Sequence, residues 1–109
     1  MIRRKVNVDL TKVKDQKEDH ANIECLIVDF LVEMKENSIS PLALAFNLSN
    51  TKISVWAIIE DNDEETEDKI ILSEAKVNAK HRNEGFYLDT MILEKSDNYP
   101  IPSHYQKVV

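Results

Sequence analysis

The chain is 109 residues long, 42% hydrophobic and 31% charged, with a formal net charge of -6. That length and balance fit one globular domain with a single core, away from the low-hydrophobicity, high-charge compositions of disordered chains. The acidity opposes the counterion release that drives most nucleic-acid binding. One glycine in the whole chain excludes glycine-rich phosphate loops and the Gly-x-Ser-x-Gly turn of a serine nucleophile.

In chain order, Arg4, Val6, Val8 and Leu10 alternate with Lys5, Asn7 and Asp9, which predicts a short edge strand. Arg3-Arg4-Lys5 resembles the charged start of a signal peptide, but Asn7 and Asp9 interrupt any apolar run behind it, and a cytoplasmic protein is expected. From about Asp15 to Asn37, residues Ile23, Leu26, Ile27, Phe30, Leu31 and Met34 follow the i, i+3, i+4, i+7 spacing of an amphipathic helix. It must stop before Pro41, and Asn37-Ser38 is its expected end. Cys25, the only cysteine, falls inside this apolar pattern, where an inert buried thiol is expected and no intrachain disulfide can form. The densest apolar run, Cys25 to Val32, contains Asp29 and is far shorter than the roughly 20 residues of a membrane span, so no membrane partner is expected.

Leu42, Leu44, Phe46 and Leu48 alternate with Ala43, Ala45 and Asn47, and Ile53 to Ile59 is rich in β-branched residues. The stretch Ser49-Asn50-Thr51-Lys52 makes these two strands a hairpin. Glu64 and Glu65, preceded by Asn62 or Asp63 as cap, start a second helix that runs to about Asn83. Its expected core stripe is Ile71, Leu72, Ala75 and Ala79, with Gly85 as a left-handed cap. Phe86 to Glu94 is the last strand, and Pro100 and Pro102 make the end an extended tail.

The expected organisation is an α+β domain over residues 1–96 with a C-terminal tail over 97–109. A small sheet of three or four mostly antiparallel strands carries two helices on one face, in the order strand, helix, strand, strand, helix, strand. This is the split βαβ arrangement called ferredoxin-like. Without the first strand, the remainder is still a helix-covered sheet whose last two strands are joined by a crossover. Such a topology hosts many functions and names none.

Few residues suggest chemistry. The acidic run Glu60, Asp61, Asp63, Glu64, Glu65, Glu67 and Asp68 lacks the glycine and terminal glutamate spacing of a calcium loop and reads as a solvated helix start. His20 and Glu24 are one helical turn apart beside Cys25, but no second pair completes a zinc site. His104 is isolated, and His81, with Lys80 and Arg82, is expected simply to complement the carbonyl end of its helix. Those cations, with Lys76, Arg3, Arg4, Lys5, Lys12, Lys14 and Lys17, are the only candidates for phosphate binding, and the aromatic supply on the strands is thin. No cofactor and no metal is expected.

The strongest clue is a surplus of apolar residues over the elements available to cover them. If Ile53, Val55, Ala57 and Ile59 face the helices, Trp56 and Ile58 point the other way, and Tyr87, Met91 and Leu93 repeat the pattern on the last strand. On the first helix Cys25, Val28 and Val32 fall nearly opposite the main stripe. The expected role is therefore a protein-interaction module that covers these residues with a second copy or another chain, as a self-associating protein or a subunit of an assembly. Two alternatives stand beside it: Tyr99, Ile101, Tyr105, Val108 and Val109 fold the tail over the open sheet, or a small-molecule pocket lies between sheet and tail, with Asp89 as its one candidate general base.

Overall fold

The structure, a computed structural model, describes residues 23–108. The strand expected over residues 4–10, the start of the first helix, His20, and the N-terminal cations up to Lys17 lie outside the described residues.

Helix α1 occupies residues 23–36 of the described chain. Leu26, Phe30 and Met34 are its buried stripe, with Ile23, Ile27 and Leu31 packed at the margins, as the sequence spacing predicts. The helix ends by bending its last carbonyls onto two following amides. Ser38 N–H donates to Lys35 O at 3.1 Å, and Ile39 N–H donates to Met34 O at 2.8 Å. This paired closure places Ser38 in the left-handed region at φ 57° and returns Ile39 to the core beside Met34.

Strands β1 (Ala43–Ser49) and β2 (Lys52–Ile59) form an antiparallel hairpin around Asn50, which accepts φ 63° as asparagine can. Helix α2 (Glu64–Lys80) is capped by Asp63, whose Oδ1 accepts Thr66 N–H at 3.1 Å and whose Oδ2 accepts the Thr66 hydroxyl at 2.6 Å. After α2 and a short 3-10 turn, Gly85 at φ 86° turns the chain into β3 (Tyr87–Glu94). A two-residue strand β4 (Gln106–Lys107) completes a four-stranded sheet in the order β3-β2-β1-β4.

The sheet is mixed: β1 pairs antiparallel with β2 and with β4, as a mostly antiparallel sheet requires, but the last two long strands depart from the ferredoxin-like order. β2 and β3 are parallel neighbours paired from Lys52↔Tyr87 to Ile59↔Glu94. A split βαβ unit needs another strand between them, and their direct pairing leaves no slot for one. The remaining expectation, a helix-covered sheet with α2 crossing between the last two long strands, matches the topology.

Both helices lie on one face. Phe30 meets Phe46 edge-on at a centroid distance of 6.4 Å, and Ile70 and Val77 of α2 join Ile53, Val55 and Leu88 in the same buried cluster. The inward stripe of α2 is therefore Ile70, Ser73 and Val77 rather than Ile71, Leu72, Ala75 and Ala79, which are exposed. Polar anchors on its flanks turn the helix away from its most apolar stripe. The Asn78 side chain makes a two-way bond with the Leu88 backbone (Nδ2 to O, 3.0 Å; N to Oδ1, 2.7 Å), and Glu74 accepts from Thr90 N–H. On the other flank Lys76 pairs with Glu33 and Lys80 with Asp29 of α1.

Candidate functional site

Strand alternation divides the side chains between two faces. The helix face takes Leu44, Phe46, Ile53, Val55, Ala57, Ile59 and Leu88, all buried. The open face takes Ala43 and Ala45 of β1, Lys52, Ser54, Trp56 and Ile58 of β2, and Tyr87, Asp89, Met91 and Leu93 of β3.

The tail covers one half of that open face. β4 pairs with the outer edge of β1 (Ala45↔Lys107, Phe46↔Gln106), and Val108 N–H donates to Leu44 O at 2.8 Å. Tyr105 stands edge-on to Trp56 at 5.8 Å, and Ala45 beneath is fully buried although it points away from both helices. Trp56 Nε1 is buried with no hydrogen-bond partner among the described residues. The tail, read as extended backbone with Tyr105 and Val108 among the residues that would fold it over the sheet, contributes a strand and an aromatic contact.

On the β3 half the face stays open. Tyr87 is 46% and Met91 54% exposed, beside the half-buried Leu93 and Ile58. Asp89, between Tyr87 and Met91, lies 3.6 Å from Lys52 Nζ in a solvated ion pair and lines none of the clefts described below. A cleft of about 360 Å³ separates sheet from tail, lined by Leu42, Ala43, Ile58, Leu93 and Tyr99 with Glu94, Lys95 and Asn98. It contains no nucleophile-and-base pair.

Cys25, Val28 and Val32 do not join this face. They lie on the outer side of α1, across the helix layer, and Cys25 is exposed, which corrects the expectation of a buried thiol. Exposed Ile71 and Leu72 place apolar surface on the outer side of α2 as well.

A second polar constellation was not read from the sequence as one. His81 caps the C-terminal end of α2, where the sequence places it, and is only 5% exposed. Its Nε2 lies 2.6 Å from Asp29 Oδ2 and its Nδ1 2.8 Å from Glu84 Oε1, while Lys80 Nζ lies 3.0 Å from the same Asp29 oxygen. Burial pushes the imidazole pKa down, but the hydrogen bonds and charges of Glu84 and Asp29 outweigh it and hold the pKa above its ordinary value. The hydrogen bond from His81, then that from Lys80, holds the Asp29 carboxyl below the usual range. The signal available was Asp29 itself, the one charge inside the run Cys25 to Val32. With both ring nitrogens within hydrogen-bond distance of carboxylates, His81 joins α1 to α2 and neither nitrogen faces a free site.

Among the described residues no group of three or more His, Cys, Asp or Glu side chains is arranged to hold a metal, and no helix is long and apolar enough to cross a membrane. Compared with known proteins, the chain matches no family model, no characterised protein and no solved structure.

Proposed function

We propose that the chain is a protein-interaction module that self-associates through the β3 half of its open sheet face. The observation that carries this reading is the exposed Met91, continuous with Leu93 and Ile58 on the face away from both helices, with exposed Tyr87 beyond Asp89 on the same face. Contiguous apolar surface of this kind is the usual mark of an interface, and the Lys52–Asp89 ion pair borders the Met91, Leu93 and Ile58 patch on its Tyr87 side. A second copy is the partner of choice because a two-fold contact needs one self-complementary patch and nothing else.

The test is solution mass by light scattering after size exclusion, for the wild type and for Met91→Glu. A wild-type dimer that becomes a monomer with unchanged circular dichroism supports the reading. A monomeric wild type, or a dimer indifferent to Met91→Glu, overturns it.

The cleft between sheet and tail favours a second reading, a small-molecule site lined by Leu42, Ile58, Leu93 and Tyr99. Asp89 does not line that cleft.

A further inference from the structure

We propose that the groove over Ala43, Ala45 and Trp56 accepts the C-terminal strand of a second copy of this chain, so that the self-association proposed above is completed by exchange of β4 between protomers. The occupant is defined by what already sits there. Tyr105 packs on Trp56, Gln106 and Lys107 pair with Phe46 and Ala45, and Val108 N–H reaches Leu44 O. The same residues of a neighbour fit the same groove with the same contacts, which makes exchange a low-cost route to a dimer.

The connection that would have to open is slight. Between the 3-10 turn at Lys95–Asp97 and β4, the chain runs through Pro100 and Pro102, and it reverses at a turn closed by Tyr105 N–H to Pro102 O at 3.1 Å. Both prolines favour extended backbone, so losing that one turn straightens the segment toward a neighbour. Residues 98–105 then span up to about 3.3 Å each, enough to cross between two small domains packed through one face. The closed form opposes this with the two-residue strand, the Val108 N–H to Leu44 O bond and the Tyr105–Trp56 contact. The tail and the exposed Tyr87 and Met91 share the open face.

The geometry supplies a test in the full-length chain. Because Val108 N–H bonds Leu44 O, the adjacent pair Ala45↔Lys107 is the closer, non-hydrogen-bonded kind, whose side chains suit a disulfide. In a Cys25→Ser background, one chain carries Lys107→Cys and another Ala45→Cys. They are mixed at on the order of 1 mM, the effective concentration that the tethered tail must be competed against, and oxidised with diamide.

Exchange predicts a covalent heterodimer exceeding either homodimer at least tenfold, with the 45–107 link identified by mass spectrometry. A single chain carrying both substitutions reports whether the pair closes at all. If that chain closes its own link readily while the mixture yields no heterodimer, the tail docks only on its own sheet and the proposal is overturned. The mass of wild type and Met91→Glu reads the open-face contact separately, so either idea can fail alone.

Discussion

His81 Nε2 lies 2.6 Å from Asp29 Oδ2, tying the end of α2 to the middle of α1, with Glu84 on the opposite ring nitrogen at 2.8 Å. Both carboxylates are satisfied at once only by the doubly protonated ring. The His81 pKa is raised, so its contribution is fully present below the unfolded value near 6.5 and is lost as pH rises through the folded value. The Asp29 pKa is lowered, so its contribution is present above the unfolded value near 3.8 and is lost as pH falls through the folded value. The latch is therefore strongest between about pH 4 and pH 6.5. Denaturant unfolding of wild type and His81→Gln should differ more at pH 5.5 than at pH 9, by on the order of 1 kcal/mol, the worth of one hydrogen bond. Lys80, Glu24 and Cys25, which line one surface cleft with Asp29, His81 and Glu84, remain in both proteins. A difference that is flat with pH would show that the ring is neutral in the fold.

The rotation of α2 makes neighbouring residues respond in opposite ways. Ile70 is fully buried, and Ile70→Ala should cost about 2–5 kcal/mol, the range for emptying a core site of that size. Leu72 is 68% exposed, and Leu72→Lys should change stability by no more than about 0.5 kcal/mol. Were the stripe Ile71, Leu72, Ala75 and Ala79 turned inward, Leu72→Lys would instead unfold the domain, so a pair of melting curves decides the orientation.

That rotation also marks where sequence patterns stop being informative. The α1 stripe, the hairpin, the Asp63 cap and the turn at Gly85 are local in origin and were readable from spacing and residue type. The facing of α2 is set by Asn78 on Leu88, Glu74 on Thr90 and His81 on Asp29, contacts separated by ten to fifty-two positions that leave no periodic trace. Ser73 occupies the core where a hydropathy pattern favours Leu72. Strand direction was hidden for a similar reason, because β2 and β3 have apolar runs that suit either a parallel neighbour or an intervening strand. On the open face, alternation alone placed Trp56, Ile58, Tyr87, Met91 and Leu93 together, but only the pairing of β4 with β1 reveals that Trp56 lies under the tail.

Ser38 offers a stabilising substitution. It closes α1 at φ 57°, where its β-carbon is strained and glycine is not. Ser38→Gly relieves a cost of about 1–2 kcal/mol and adds back roughly 0.5–1 kcal/mol of unfolded-state entropy. The net expectation is a gain of up to about 1 kcal/mol, or roughly 4–8 °C in Tm for each kcal/mol gained in a domain of this size. A lower Tm would mean that the Ser38 side chain contributes more to the turn than its backbone strain removes.

Asn78 bonds the edge of β3 as a further strand would. Among the described residues β3 is an outer strand, and the Asn78 amide donates to Leu88 O and accepts from Leu88 N–H as a neighbouring peptide group would, which blocks that part of the edge against pairing with another chain. Asn78→Ala should cost about 1–3 kcal/mol by leaving both groups unpaired. Asn78→Asp is more informative because at neutral pH it keeps the acceptor but sets a second oxygen against the Leu88 carbonyl. Only the protonated acid restores the donor, so the folded pKa of the new carboxyl must exceed its unfolded value near 3.9. The native state then binds more protons than the unfolded one, and stability relative to wild type must rise as pH falls through that raised pKa. Unfolding midpoints at pH 4.5 and pH 7.5 check this: Asn78→Asp should recover toward wild type at the lower pH, whereas Asn78→Ala should keep a constant deficit. Parallel behaviour of the two variants would show that the two-way bond does not hold α2 to the sheet edge.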